Sequence, residues 1–138
     1  MAKVNHNIAT YQMNGFMKVQ VTRLDWRSLL SAIDRMDADA FASFLTEDST
    51  FRFGNAEPVK GKSNVREYVA GFFSSIKLLK HEILGVWEKD HVITMQGEVT
   101  YTRKDGRLLK VPFVNLLKMK GTLIHEYLIY IDASTLFP

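Results

Sequence analysis

The sequence of 138 residues contains no cysteine. A disulfide framework and a thiol nucleophile are therefore excluded, and cysteine usage gives no information about the compartment. No apolar run comes near the roughly 20 residues that a membrane-spanning helix needs. The opening residues, MAKVNHNIATYQMNGF, lack the apolar core of a secretory signal. These absences predict no membrane partner, and the expected location is cytoplasmic.

Familiar catalytic motifs are missing too. The sequence has no phosphate loop of the GxGxxG or Walker type and no nucleophile elbow around a serine. HExxH and paired i, i+4 spacings, which would indicate a metal site, are absent among the four histidines, His6, His81, His91 and His125. We therefore expect no metal and no cofactor.

The positive charge is small and dispersed. Eighteen basic and fifteen acidic residues leave a net charge of +3. A nucleic-acid-binding protein usually gathers its basic residues on one face. The densest basic cluster here flanks a predicted hairpin tip and consists of Arg103, Lys104, Arg107 and Lys110. Such a cluster is typical of a solvated turn, so no nucleic-acid partner is expected.

What the chain does contain is enough apolar material for a core. Hydrophobic residues make up 46% of the sequence and aromatic residues 12%. A chain of this length buries roughly two-thirds of its unfolded surface. We predict one domain over residues 22–138, preceded by an extension of residues 1–21 with a short element near residues 17–21.

Three helices are predicted before most of the strands. Thr22 is the expected cap of the first helix and Asp37 of the second. Ser63 or Asn64 begins a third helix, whose wide apolar stripe runs through residues 65–79. That stripe predicts a helix lying flat against an apolar surface.

The strands follow a meander. A short strand is predicted over residues 49–53 and another over residues 81–87. Three longer strands follow, over residues 92–103, 108–119 and 122–132, joined at Asp105-Gly106 and Lys120-Gly121. Helices placed ahead of an antiparallel sheet predict an α+β domain with helices on one sheet face. A curved sheet backed by helices leaves a cavity at its open end, where small molecules usually bind.

The polar residues of the sheet carry the functional hypothesis. A two-residue turn at Asp105-Gly106 would place Gln96, Glu98, Phe113 and Asn115 on one face. The opposite face would carry Ile93, Met95, Val99, Tyr101, Val114 and Leu116, a surface suited to self-association. Gln96 and Glu98 either face water, as alternating polar residues usually do, or line a pocket. In a dry pocket beside Phe113, the pKa of Glu98 would be raised and Glu98 could act as an acid or base.

Other placements stay open at this level. His81, on an apolar strand, is more often a core residue than a catalytic one, yet histidine as a residue type is a common proton carrier. A two-residue turn at Lys120-Gly121 would put Glu126 and Tyr130 on the Asn115 face. A longer loop would put Tyr127 and Ile129 there instead, because a slip of one residue reverses every side chain.

The pattern resembles a known superfamily. The runs DADAFASFLTEDSTFRFGNAEPVKG, NVREYVAGFF, VTYTRKDG, VPFVNLLKM and IYID are similar to the nuclear transport factor 2-like superfamily, and within it to the SnoaL-like group. The resemblance covers about residues 24–135. Members include steroid isomerases, polyketide cyclases, epoxide hydrolases, dehydratases and binding proteins, so the resemblance specifies a fold and leaves the function open.

The resemblance implies a cone-shaped, cystatin-like fold in which three N-terminal helices wrap a curved antiparallel sheet. It also implies a homodimer through the outer sheet face. It places Gln96, Glu98 and Asn115 toward the cavity. It favours Tyr127 and Ile129 as cavity residues over Glu126 and Tyr130.

The best-known catalytic sets of the superfamily are broken in this chain. By this resemblance, the Tyr and Asn of the epoxide hydrolases' early strand correspond to Phe51 and Phe53, and a further Asp corresponds to Ile129. The general base of the steroid isomerases also falls at Phe53, and their oxyanion-binding Asp falls at Asn115. Neither mechanism is therefore expected in its familiar form.

The leading hypothesis is a pocket for a small, mostly apolar molecule, with any reaction a cofactor-free isomerisation, cyclisation or dehydration. The expected catalytic residues are Glu98, Asn115 and His81. The expected ligand-binding residues are Phe51, Phe53, Phe72, Gln96, Phe113, Tyr127 and Ile129. The alternative is a non-catalytic dimer of the same fold that binds a ligand or a protein, in which Glu98 is solvated or paired with a lysine.

Overall fold

The computed structural model describes residues 10–13 and 17–137. Its elements in chain order are β1 (Thr10–Met13), β2 (Met17–Gln20), α1 (Trp26–Asp34), α2 (Ala38–Ala42), β3 (Leu45–Phe53), β4 (Val59–Lys60), α3 (Lys62–Ser75), β5 (Ile76–Lys89), β6 (Val92–Arg103), β7 (Leu108–Lys120) and β8 (Leu123–Ile131). Within these residues, no helix is long and apolar enough to cross a membrane.

The described strands form one curved, open sheet in the order β1-β2-β5-β6-β7-β8-β3-β4. The predicted α+β fold with three helices is confirmed. The sheet is mixed and not purely antiparallel, since β2 pairs with β5 and β3 pairs with β8 in parallel. Parallel neighbours need long crossover connections, and the helices and further strands that lie between them in the chain provide these connections.

The first helix begins one turn later than predicted. The Asp25 carboxylate accepts hydrogen bonds from the Ser28 backbone N–H at 3.2 Å and the Ser28 hydroxyl at 2.7 Å. Asp25 is therefore the N-cap of α1. Thr22, the predicted cap, instead donates its hydroxyl hydrogen bond to the Leu24 carbonyl at 2.6 Å.

Of the caps predicted for the other two helices, one is observed and one is not. Asp37 caps α2 as predicted, accepting the Ala40 N–H at 2.9 Å. At the start of α3, Gly61 occupies the cap position without a side-chain hydrogen bond. Asn64 lies inside the helix and donates from its side chain to the Lys60 carbonyl at 3.0 Å.

Two strands are longer than predicted. Strand β3 begins at Leu45, and β5 begins at Ile76, directly after α3. Leu79 pairs with Tyr101 across the sheet and is buried there, so the apolar stripe of the predicted helix ends on a strand. The segment of residues 54–61, between β3 and α3, contains the short strand β4, which pairs with β3.

The curved sheet has a β-bulge in β5, where this strand pairs with β6, and a bulge bends its strand. The register shifts between Ile83 and Gly85, which leaves Leu84 as a bulged residue. Opposite the bulge, a Cβ on Gly97 would lie 2.1 Å from the Glu82 carbonyl oxygen. The strands can therefore approach this closely only at a glycine.

The predicted element near residues 17–21 is a strand. Val19 pairs with Val86 of β5 and is buried in the core. The division of the chain at residue 21 stays a prediction.

Candidate functional site

The turn between β6 and β7 decides which residues face the helices. The Arg103 N–H donates to the Arg107 carbonyl at 2.8 Å, so three residues lie between this pair. The predicted turn had two. The extra residue shifts the register by one position, and Asn115 pairs with Met95 where it was expected to pair with Gln96. Side chains alternate along a strand, so this shift reverses the predicted faces of β6 relative to β7.

Glu98 and Gln96 consequently lie outside the cavity, and their predicted placement is wrong. Both belong to the outer face of the sheet, where Glu98 pairs in register with Pro112. The Glu98 side chain is 42% exposed and lies 3.5 Å from the Nζ of Lys110. Lys110 also contacts Glu82, at 3.4 Å. Glu98 is thus a surface carboxylate in a small charge cluster.

The surface predicted for self-association is divided by the same shift. Ile93, Met95, Val99 and Tyr101 are buried on the inner face, beneath the helices. Val114 and Leu116 of β7 face outward and are partly buried. A continuous apolar surface made of all six residues does not exist.

The last hairpin places Tyr127 and Ile129 inside. Asn115 pairs with Ile129, and Leu117 pairs with Tyr127. A register shift near Lys118 separates this pairing from the turn. Tyr127 and Ile129 therefore lie on the face that the longer loop would have given them. A β-bulge, and not a longer loop, is the cause.

An inner cavity lies between the helices and the inner face of the sheet. Its volume is about 50 Å³, and about 560 Å³ when the solvent-filled space at its open mouth is included. The cavity is lined by Ile33, Phe41, Phe51, Phe53, Tyr68, Val69, Phe72, Phe73, Leu79, His81, Val99, Tyr101, Phe113, Asn115, Tyr127, Ile129 and Ile131. Eight of the ten predicted site residues are in this set, and Gln96 and Glu98 are not.

Aromatic rings dominate the cavity wall. Tyr127 lies 5.5 Å from both Phe41 and Phe51, measured between ring centroids. At the other side, Phe72 lies 5.2 Å from Phe53 and 5.8 Å from Tyr101. Tilted and edge-on pairs of this kind are favourable. The wall can therefore hold an apolar ligand by its faces and edges.

Two phenol groups supply hydrogen-bond capacity inside this wall. Burial raises the pKa of Tyr101 well above its ordinary value of 10.0. Burial also raises the pKa of Tyr127, with smaller contributions from the nearby Tyr101 and Asp34. Both phenols therefore stay protonated at neutral pH and can donate hydrogen bonds to a ligand oxygen.

Asn115 is the most deeply buried amide of the cavity. It is 2% exposed, and its Oδ1 has no hydrogen-bond partner among the described residues. Its neighbours in register are Met95 and Ile129, which cannot donate. The amide is therefore available to a molecule bound in the cavity.

His81 is joined to a carboxylate that the sequence analysis missed. The Nδ1 of His81 lies 2.6 Å from Oδ1 of Asp34, and the His81 backbone N–H donates to Oδ2 of Asp34 at 3.2 Å. With Nδ1 turned toward the carboxylate, Nε2 is left for other partners. The Phe113 ring lies edge-on to the imidazole, 5.3 Å between centroids.

Asp34 had a signal in the sequence. It lies four residues after Leu30 and directly after Ile33, so it continues the apolar stripe of α1. A carboxylate on the buried side of a helix requires a partner. That partner, His81, is 47 residues away.

The described residues contain no group of three or more His, Asp or Glu side chains able to hold a metal ion. The polar groups at the cavity wall are the His81–Asp34 pair, the Asn115 amide, the buried phenols of Tyr101 and Tyr127, and the phenol of Tyr68.

Comparison with known proteins agrees with this architecture. The family model of the SnoaL-like domain matches residues 26–127. The chain is similar to a hypothetical protein with a ketosteroid isomerase-like fold from Catenulispora acidiphila DSM 44928, solved in complex with trimethylamine (16% identity, 76% of this chain and 82% of that chain covered, TM-score 0.71). No curated protein matches the sequence.

Two further solved structures cover most of the chain. One is a putative SnoaL-like polyketide cyclase from Jannaschia sp. CCS1, with 16% identity, 80% of this chain and 87% of that chain covered, and a TM-score of 0.67. The other is an LEH-like epoxide hydrolase from M. tuberculosis, with 10% identity, 79% of this chain and 80% of that chain covered, and a TM-score of 0.69. At these identities the likeness concerns the fold. The family match spans about three-quarters of the sequence, and the chain belongs to the SnoaL-like domain family.

Proposed function

We propose that the inner cavity binds a small, mostly apolar molecule and that His81, oriented by Asp34, moves a proton on it without a cofactor. The observation that carries this proposal is the 2.6 Å contact between His81 Nδ1 and Asp34 Oδ1, on a histidine that also lines the cavity. The carboxylate holds a proton on Nδ1, which leaves a lone pair on Nε2 as the base. Isomerisation, cyclisation and dehydration are the reaction types that need such a group.

The surroundings suit a proton transfer. The His81 side chain is 11% exposed and Asp34 is 29% exposed, so water competes little for their contact. Tyr101, Tyr127 and Asn115 can hydrogen-bond an oxygen whose charge changes as the proton moves. Each of these groups is already in place before the ligand enters.

The proposal can be tested without knowing the natural substrate. 5-Nitrobenzisoxazole is a neutral aromatic probe. When a base removes its carbon-bound proton, the N–O bond breaks and a coloured cyanonitrophenolate forms. We expect the protein to accelerate this opening and the His81→Gln variant to lose about 100-fold or more in rate. Glu98→Gln, on the outer face, and His125→Gln, outside the cavity, are matched controls that should keep the wild-type rate.

A result at the level of free imidazole in solution, or equal rates for wild type and His81→Gln, would contradict the catalytic role. A rate lost only in Glu98→Gln would also contradict it, since that residue cannot reach the cavity. Circular dichroism of each variant verifies that the fold is retained.

The alternative is a non-catalytic dimer, and a specific surface supports it. Two neighbouring rows on the outer face carry apolar side chains: Trp87, Leu116 and Leu128 flank Thr94 in one row, and Val114 and Tyr130 follow Gln96 in the next, with the bulged Leu84 at its β5 end. Leu84 is 40% exposed, Trp87 39% and Tyr130 57%. Apolar patches of this kind mark association surfaces. We propose a homodimer through this outer patch, compatible with either function.

Sedimentation at two concentrations tests the dimer. The wild-type chain is expected to have twice the monomer mass, and Leu116→Lys should shift it to the monomer because a buried lysine charge would be unpaired. The matched control Lys104→Glu, at the hairpin tip, should leave the dimer intact. A monomeric wild-type chain at both concentrations would exclude the interface. The cytoplasmic location stays a prediction.

A further inference from the structure

We infer that the ligand of the inner cavity is a neutral single-ring compound carrying a hydroxyl group, which donates its hydrogen bond to Oδ1 of Asn115. The inference rests on the proposed function only in taking this cavity as the binding site. It adds the chemical class of the ligand and assigns the Asn115 carbonyl as a hydrogen-bond acceptor for it.

The unpartnered carbonyl of Asn115 is the first observation. An acceptor buried without a hydrogen bond destabilises the protein, because it has lost its contacts with water and gained none in exchange. The apolar side chains of Met95 and Ile129 lie beside it on the two neighbouring strands and offer no donor. Asn115 itself is 2% exposed. A ligand hydroxyl would supply what the protein lacks at this point.

The charge of the cavity is the second observation. None of the described residues that line it is a lysine or an arginine. The nearest carboxylate, Asp34, lies behind His81 and would repel an anion. Burying a carboxylate here would cost free energy without a compensating ion pair. A neutral ligand is therefore favoured over an acid.

The shape of the cavity is the third observation. Rings of Phe41, Phe51, Phe72 and Tyr127 line its wall, and the Tyr127 centroid lies 5.5 Å from those of Phe41 and Phe51. The cavity volume is only about 50 Å³ and the cavity opens to solvent, which favours a small ligand that enters from the mouth. Edge-on and tilted contacts with these side chains suit a flat ring. One ring with a hydroxyl satisfies all three observations.

Three probes of nearly equal size separate these properties: p-cresol carries a hydroxyl, 4-methylanisole masks it as an ether, and p-toluate carries a charge. Binding is measured by titration calorimetry and by the shift of the Asn115 side-chain amide signal in NMR spectra. For the wild-type protein we expect p-cresol to bind about tenfold more tightly than 4-methylanisole, the effect of one hydrogen bond. p-Toluate should bind at least tenfold more weakly than p-cresol.

The Asn115→Leu variant should bind p-cresol and 4-methylanisole with equal affinity, because the amide is replaced by an apolar group of similar size. Gln96→Leu, the same replacement on the outer face, should keep the tenfold preference. If Asn115→Leu does not fold, the NMR signal of wild-type Asn115 decides: at saturation it should move clearly further with p-cresol, which adds a hydrogen bond, than with 4-methylanisole, which adds only a ring.

Equal wild-type affinities for the two neutral probes, a preference that survives in Asn115→Leu, or tightest binding of p-toluate would each overturn the inference. These measurements involve no turnover. His81→Gln should still bind p-cresol more tightly than 4-methylanisole. A protein that fails to catalyse through His81 can therefore still pass this binding test, and the two failures can be told apart.

Discussion

The Asp34 carboxylate, at the end of α1, holds the imidazole of His81 on β5, with 2.6 Å between Oδ1 and Nδ1. A second contact, from the His81 backbone N–H to Oδ2, fixes the carboxylate against the strand. The pair thus ties a helix to the sheet at the cavity wall. Its orientation decides which imidazole nitrogen carries the proton.

Replacing Asp34 by alanine should lower the opening rate of 5-nitrobenzisoxazole about 100-fold, within the range of acid–base contributions. The imidazole would lose both its tautomer preference and its fixed direction. The dissociation constant of p-cresol should change less than threefold, because Asp34 does not line the cavity. Loss of binding in parallel with rate would show a structural role instead. Asp39→Ala, on α2, serves as the surface control.

Gly97→Ala should destabilise the protein by about 3 kcal/mol, the upper range for overpacking. A Cβ at this position would meet the Glu82 carbonyl oxygen at 2.1 Å, and backbone cannot move aside as a side chain can. Gly71→Ala is the matched control, since nothing lies within 4 Å of its added Cβ in α3. There the change should stabilise by about 1 kcal/mol. Urea unfolding measures both, and a stable Gly97→Ala protein would contradict the account of the bend.

The three helices and the strands β3 and β5–β8 were predictable in order from local patterns, and the inward direction of Phe51 and Phe53 follows from alternation along one strand. The faces of β6 and β7 were not predictable. Their relative register depends on one residue at the Asp105-Gly106 turn, and both turn lengths suit that sequence. The residue chosen as the acid or base, Glu98, fell on the wrong face for this reason alone.

The histidine–aspartate pair could not be predicted from the sequence, for a different reason. Asp34 and His81 belong to a helix and a strand, and no spacing rule connects residues that the tertiary fold brings together. The polar residue within the apolar stripe of α1 could have prompted a search for a partner. It could not have named His81.

Asp25→Ala should cost about 1 kcal/mol of stability at neutral pH, through loss of the N-cap of α1. The hydroxyl and then the backbone N–H of Ser28 lower the pKa of Asp25 below its ordinary value of 3.8, aided by Arg27. A lowered pKa in the folded state adds stability above the unfolded pKa and loses it as pH falls through the folded value. The gap between wild type and Asp25→Ala should therefore shrink below pH 3.8.

Asp25→Asn separates the cap from its charge. The amide oxygen can still accept the Ser28 hydrogen bonds, so the helix should remain capped. Its stability relative to Asp25→Ala should not depend on pH. Guanidinium unfolding at several pH values checks this, and a pH-independent gap between wild type and Asp25→Ala would exclude the charged cap.

Tyr127 should make the protein lose stability in alkali. Its pKa is raised by burial, and further by Tyr101 and Asp34, whereas the unfolded phenol ionises near 10.0. A raised folded pKa means that the contribution is complete below the unfolded pKa and is lost as pH rises above it. Between pH 10 and 12, the unfolded chain releases a proton that the folded chain retains.

Tyr127→Phe removes this proton and keeps the ring that contacts Phe41 and Phe51. In alkali, the free energy of unfolding of Tyr127→Phe should fall less steeply with pH than that of the wild type. The difference in slope should be at most about 1.4 kcal/mol per pH unit, the limit for one proton. Urea titrations between pH 8 and 11.5 measure the slope, and phenolate absorbance reports ionisation. Equal slopes for both proteins would mean that Tyr127 ionises inside the fold. That outcome would remove it as a hydrogen-bond donor to the ligand.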